Sequence, residues 1–180
     1  MWPSMPGRCW HNLLLSGRLR DKDMLRKICG AFALIVACAL AMPAAAQEAD
    51  ILHLVNSARA AKGCKPLVLN NALTAAARGH ANAMSKQNFF GHQSPNGASV
   101  GKRVTKAGYN WSQVAENISG GWTTPEKVVS EWMASSGHRK NILTCRFKDA
   151  GVAMVYDPND KTLPGQPRPL KYYWVMTFGR

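Results

Sequence analysis

Two segments near the end of the chain, GVAMVYD at 151–157 and KYYWVMTFG at 171–179, alternate like strands yet are apolar on both sides. In the second, Tyr172, Trp174, Met176 and Phe178 fall on one face, and Tyr173 and Val175 on the other. A sheet that is apolar on both faces must be covered on both faces. With the helices read upstream, the covering layers are expected to be helices. The fold class expected is α+β: a three-layer α/β/α sandwich in which helices cover both faces of a small antiparallel sheet. The linker PNDKTLPGQPRP is rich in Pro and Gly and joins the two strands.

The helices can be placed from their ends. In ADILHLVNSARAAKG, Ile51, Leu54, Val55 and Ala58 recur at helical spacing, and the helix ends near Gly63. CKPLVLN is a short apolar connector. Asn70 suits an N-cap for a second helix whose apolar face is Leu73, Ala76, Ala77, His80, Ala81 and Met84. FFGHQSPNGAS has loop composition, and a short helix follows from Val100 to Ala107, stopped by Gly108. TTPEKVVSEWMASSG reads as one helix, with Thr124 as N-cap, Pro125 in the first turn and Glu126 at the positive end of the dipole.

Before these elements lies an apolar run of about 15 residues, Ile28 to Met42, preceded by Arg26 and Lys27 and followed by small residues. It reads as a secretory signal peptide with cleavage after Ala46, and it is too short for a confident membrane span. Residues 1–46 are thus an N-terminal extension and signal peptide, with Met24 as an alternative start, and 47–180 form a single domain. Removing the six Lys/Arg and two Asp/Glu before Gln47 from 23 and 10 leaves 17 and 8, a net charge of about +9. That charge favours anionic surfaces such as phospholipid or wall polymer. Export and the lack of a basic-aromatic recognition motif set nucleic acid aside. The expected location is exported, either periplasmic or extracellular, and a monomer is expected. After cleavage only Cys64 and Cys145 remain. In an oxidising compartment a disulfide between them is expected, with two free thiols as the alternative.

His53 lies beside the apolar stripe of the first helix and reads as a surface residue, while His80 reads as a hydrogen-bonded core residue. His92 sits in a loop, and His138 follows Ser-Ser-Gly at a helix end. Glu116, in VAENI, is an acidic residue among apolar neighbours, which is costly unless it is paired or liganded. Chemistry alone allows His92, Glu116 and His138 to meet, but separations of 24 and 22 residues form no local metal motif.

The order FFGHQSPNG, AENI, SEWMASSGHRKNIL and GVAMVY…YYWVMTFG closely resembles the CAP superfamily (cysteine-rich secretory, antigen 5 and pathogenesis-related 1 type), in its short bacterial SCP-like branch. The resemblance runs from Ile51 to Phe178. It implies an α/β/α sandwich and a cleft with two histidines and two acidic residues, where some members bind a divalent cation. By motif, His92 corresponds to the first histidine, Glu116 to the first glutamate and His138 to the second histidine. The second glutamate of eukaryotic members follows the helix tryptophan by three places. Here that place is Ser135, and Glu131 falls off the Val128, Val129, Trp132, Met133 face, toward solvent. His92, His138 and Glu116 are therefore a candidate ligand set for a divalent cation such as zinc, with an open position for water. Ser94 and Asn117 are candidate hydrogen-bonding groups of the cleft. Family members are mostly lipid or sterol binders or secreted effectors. The expected function is binding of a lipid or cell-envelope ligand, and the alternative is a metal-dependent hydrolase acting on an envelope polymer or peptide. Whether the chain is an enzyme at all is left open.

Overall fold

The computed structural model describes residues 43–180, so the apolar run and basic start read as a signal peptide lie outside the described residues. The cleavage position after Ala46 falls in the first turn of helix α1 (Ala44–Ala61). The remaining elements are β1 (Val68–Leu69), α2 (Asn71–Lys86), α3 (Val100–Lys106), β2 (Val114–Gly120), α4 (Pro125–Ala134), α5 (Ser136–Ile142), β3 (Asp149–Tyr156) and β4 (Tyr172–Gly179). Among the described residues no helix is long and apolar enough to cross a membrane.

The four strands form one sheet in the order β1-β3-β4-β2. The segments read as strands are β3 and β4, paired antiparallel with Val152 opposite Met176. On one face, Ala150, Val152, Met154, Trp174, Met176 and Phe178 bury Ile51 and Val55 of α1 and Val128, Val129 and Trp132 of α4. On the other, Ala153, Tyr173 and Val175 pack with Ile118 against Ala77, Ala81 and Met84 of α2. Helices cover both faces, and the architecture is the expected three-layer sandwich.

Gly151 sets how close α2 comes to the sheet. A Cβ there would lie 2.1 Å from the carbonyl carbon of Leu73 and 2.1 Å from the Thr74 nitrogen, inside any tolerable contact. Thr177, opposite Gly151 in the pairing, donates its hydroxyl to the Leu73 carbonyl at 3.1 Å. The helix begins where expected: the Asn70 side chain accepts from the backbone N–H groups of Ala72 and Leu73.

Three features differ from the sequence reading. The sheet is mixed, because β1, inside the supposed connector, runs parallel to β3 at Val68↔Asp149 and Leu69↔Ala150. VAENI lies on a strand, β2, pairing with β4 along its length. The helix expected through Ser136 stops at Ala134, because Ser135 is extended (φ −81°, ψ 125°), and a second helix starts at Ser136. Ser-Ser-Gly favours such a break, since hydroxyl side chains compete for backbone bonds and glycine loses most entropy in a helix. His138 therefore sits within α5 rather than beyond a helix end.

Candidate functional site

Strand β2 is an edge strand, and alternation along it sends neighbouring side chains to opposite layers. Glu116 lies on the same side as Ile118, toward α2, while Asn117 faces α5. The Asn117 amide donates to the His138 carbonyl at 3.1 Å and accepts from the Asn141 amide at 2.9 Å. Asn141 also donates to the Glu116 carbonyl at 3.3 Å. These bonds tie α5 to the strand, and they hold His138 over its edge from one layer. His92 comes from the α2–α3 loop in the other layer. The two imidazole centroids are 6.4 Å apart, with the ring planes inclined at 61°.

The Glu116 carboxylate is buried and fully engaged. Its Oε1 accepts from His92 Nδ1 at 3.0 Å, and its Oε2 accepts from the Arg103 guanidinium at 2.8 Å. Arg103 also donates to the carbonyls of Ala98 (2.7 Å) and His92 (3.0 Å), which clamps the loop that carries His92. The cost of an acidic residue among apolar neighbours is thus met by an internal ion pair. With Nδ1–H given to the carboxylate, the other ring nitrogen of His92 is left free of that bond, and the side chain is 55% exposed.

His80 lies beneath this pair, fully buried, with Nε2 3.8 Å from Glu116. Its Nε2–H donates to the Gly91 carbonyl at 2.9 Å, so Nδ1 is left to accept from the Ser94 hydroxyl at 3.4 Å. Ser94 in turn accepts from Arg103 at 3.4 Å. This chain of bonds suits a neutral imidazole. Burial accordingly pushes the His80 pKa down, against the opposing pull of Glu116. Burial, and then proximity to His92, pushes His138 down as well.

The structure therefore brings His92, Glu116 and His138 together and leaves His53 exposed on α1. Ser94 and Asn117 are adjacent but buried, and their polar groups are already used within the protein. Glu131 points outward and pairs with Lys127. His80, expected to stay apart, packs under Glu116; its placement on the apolar face of α2 was right, but β2 presents Glu116 to that same face. Arg103 and Asn141 were not singled out by the sequence. The demand of Glu116 for a cation pointed to a residue like Arg103, but Lys102, Arg103 and Lys106 look equivalent until the loop is folded.

As a metal centre the three side chains do not fit a three-ligand set. Each Glu116 oxygen already accepts a hydrogen bond, Oε1 from His92 and Oε2 from Arg103, whose guanidinium balances the carboxylate charge. Among the described residues no group of three or more His, Cys, Asp or Glu side chains is arranged to hold a metal ion. What the geometry does offer is two imidazole edges, one oriented by a carboxylate. Beside them, Phe90 (42% exposed) and Leu170 form an apolar ledge over Gly120, where an added Cβ would lie 2.8 Å from Leu170 and 3.1 Å from Phe90.

Comparison with known proteins places the whole domain. The family described as CAP, Cysteine-rich secretory protein family, matches residues 52–178. The Bacillus subtilis protein YkwD is 40% identical over 110 residues, 61% of this chain and 43% of its own length. The Bacillus subtilis membrane protein YlbC is 30% identical over 107 residues, 59% of this chain and 31% of its own. The chain thus spans less than half the length of either relative. An extracellular protein containing an SCP domain from Bacillus anthracis superposes with a TM-score of 0.65 at 25% identity, covering 92% of this chain and 45% of that one. An outer surface protein of Borrelia burgdorferi, at TM-score 0.67 and 14% identity, covers 77% of this chain and 96% of its own and shows the fold alone. The matched span holds β2, the loop that carries His92 and the helix that carries His138, and the chain belongs to the cysteine-rich secretory protein (CAP) family.

Proposed function

We propose that this is an exported protein whose CAP domain binds an amphiphilic lipid or other cell-envelope component at the β2 edge. Export is supported by the signal-like run, by the Cys64–Cys145 bond and by similarity to proteins described as extracellular or outer-surface. The observation that carries the binding reading is the polar–apolar sequence along one strand face. Carboxylate-oriented His92 and neighbouring His138 offer hydrogen-bonding ring nitrogens, and the Phe90–Leu170 ledge continues over Gly120. A polar headgroup at the imidazoles would place an apolar body on the ledge. The test is mass spectrometry of small molecules released from the protein purified after export, with His92→Ala/His138→Ala and Phe90→Ser alongside. A bound amphiphile lost in both variants supports the reading; a bare protein that takes up no added lipid refutes it.

A second reading rests on the His92–Glu116 pair. A carboxylate holding one imidazole nitrogen leaves the other able to accept a proton from water, an arrangement suited to general-base hydrolysis of an envelope polymer or peptide. Ser94 is engaged by His80 and Arg103, and both cysteines of the described residues are bonded, so the reading uses water rather than either as nucleophile. Hydrolysis of envelope glycan or peptide by the protein, lost in His92→Ala, would favour this reading. Equal release by the variant would remove it.

A further inference from the structure

A second feature lies on the outer side of α3, away from the imidazole pair. The indole of Trp111 is laid along one turn of that helix. Its Nε1–H donates to the Thr105 hydroxyl at 3.0 Å, and its six-membered ring rests on Gly101, where a Cβ would lie only 3.0 Å from Cζ2. Gly101 and Thr105 are four residues apart and so share one helix face. The ring is held at both ends and is still 43% exposed. One position further on, Lys102 and Lys106 form a parallel exposed pair, and the ion pairs of the described residues give neither a carboxylate partner. These two lysines line an open cleft of about 490 Å³ with Trp111 and Ser99, and also a second cleft of about 480 Å³ floored by Ala76, Gly79 and Ala83 of α2.

We infer that α3 is a docking surface for an anionic glycan, a chain of sugar rings bearing carboxylate or phosphate groups. The C–H face of a sugar ring is apolar and packs on an aromatic ring, while the acidic substituents pair with Lys102 and Lys106. The ring is fixed before binding, so little side-chain entropy is lost in using it. Two clefts sharing one basic ridge suit an extended polymer that crosses the ridge. A membrane anchor suits the geometry less well. An interfacial aromatic must project so that its apolar surface sinks roughly 5–10 Å into the headgroup boundary, and this indole is pinned down on its own helix. The net charge of about +9 after the signal-like segment adds long-range attraction of the same sign.

The test is titration of the protein with an oligogalacturonate, followed by calorimetry and by the NMR shift of the Trp111 indole N–H. Binding is expected to weaken with added salt. Trp111→Ala and Lys102→Gln/Lys106→Gln are each expected to lose about tenfold in affinity, as for a central aromatic or charged contact, while an uncharged dextran fragment does not bind. His92→Ala/His138→Ala is expected to bind the glycan as the parent does, so this result stands or falls apart from the imidazole cleft. No binding of the oligogalacturonate overturns the inference, as does undiminished binding by the double lysine variant, whose exposed changes do not threaten folding. Preference for phosphatidylglycerol vesicles or single-stranded DNA would reassign the surface and overturn it too, and loss of binding in the histidine variant would move the anion to the other cleft.

Discussion

Arg59 and Glu116 are both buried charges, and they are satisfied in opposite ways. Arg59 of α1 makes five hydrogen bonds, all to backbone carbonyls: two to Lys65 and one each to Ile142, Thr144 and Phe147. No carboxylate faces it, and burial pulls its pKa down from the ordinary arginine value. Beside it the disulfide between Cys64 and Cys145 joins the same two segments, with Cα atoms 4.8 Å apart. Glu116, by contrast, is held by side chains, Arg103 and His92, with His80 beneath. Carbonyls neither titrate nor rotate away, whereas imidazoles do both. The first region is a fixed clasp, and the second can answer to pH and to a ligand.

The clasp should be the costlier to break. Arg59→Met leaves four carbonyls without their donor, those of Ile142 and Phe147 in buried bonds, and a loss on the order of 5 kcal/mol is expected in urea unfolding. A loss under about 1 kcal/mol would show that water replaces the guanidinium. Removal of the disulfide, by Cys64→Ser/Cys145→Ser, comes next. Its sequence separation of 81 corresponds to about 4.5 kcal/mol in the chain-entropy model, which strain or residual structure in the reduced chain would lower. Neither effect should change between pH 7 and 5.5.

At the site, Glu116→Gln keeps the shape but leaves Arg103 without its counter-charge. About 3 kcal/mol is expected to be lost, and hydrogen exchange should quicken first in residues 88–99. Exchange that quickens uniformly across the domain would mean that Glu116 is as structural as Arg59. The smallest effect is the acid response. His80 is held neutral, so its pKa in the folded chain lies below that of the unfolded chain. The stability tied to that neutral state is complete above about pH 6.5. It is lost on acidification, as the unfolded chain takes up the proton first, at up to about 1.4 kcal/mol per pH unit. A melting-temperature profile should therefore fall below pH 6.5, and fall less steeply in His80→Gln. Parallel profiles would place the acid sensitivity elsewhere.

What could be read in the sequence follows what local pattern encodes. Apolar residues on both faces of 171–179 required two covering layers, and the caps at Asn70 and Thr124 marked helix starts that the structure keeps. The two residues of β1 carry no periodicity, and β2 mixes Glu, Asn and Ser with apolar residues because it borders a cleft, so neither announced itself as a strand. The approach of His92 and His138, 46 positions apart, was legible only through likeness to a family. The partners of Glu116 depended on how the 87–99 loop folds. Arg103 lies one place from buried Val104, and nothing in VGKRVTK distinguishes it from the lysines beside it. The sequence named the carboxylate and the imidazoles but not the cation that pairs with Glu116 Oε2.

The pairing of β2 with β4 has a consequence for how this domain tolerates change. Glu116 faces one helical layer and Asn117 the other, and each secures a segment from its own side. A slip of one residue in that register would exchange the two. It would turn a carboxylate toward α5, strand Arg103 opposite an amide and release both histidine segments at once, although every residue would remain present. Strand length in β2 is therefore less free to drift than its composition. A substitution along 114–120 alters one side chain in place, whereas one inserted or deleted residue would dismantle the cleft while leaving β3, β4 and the Arg59 clasp in place.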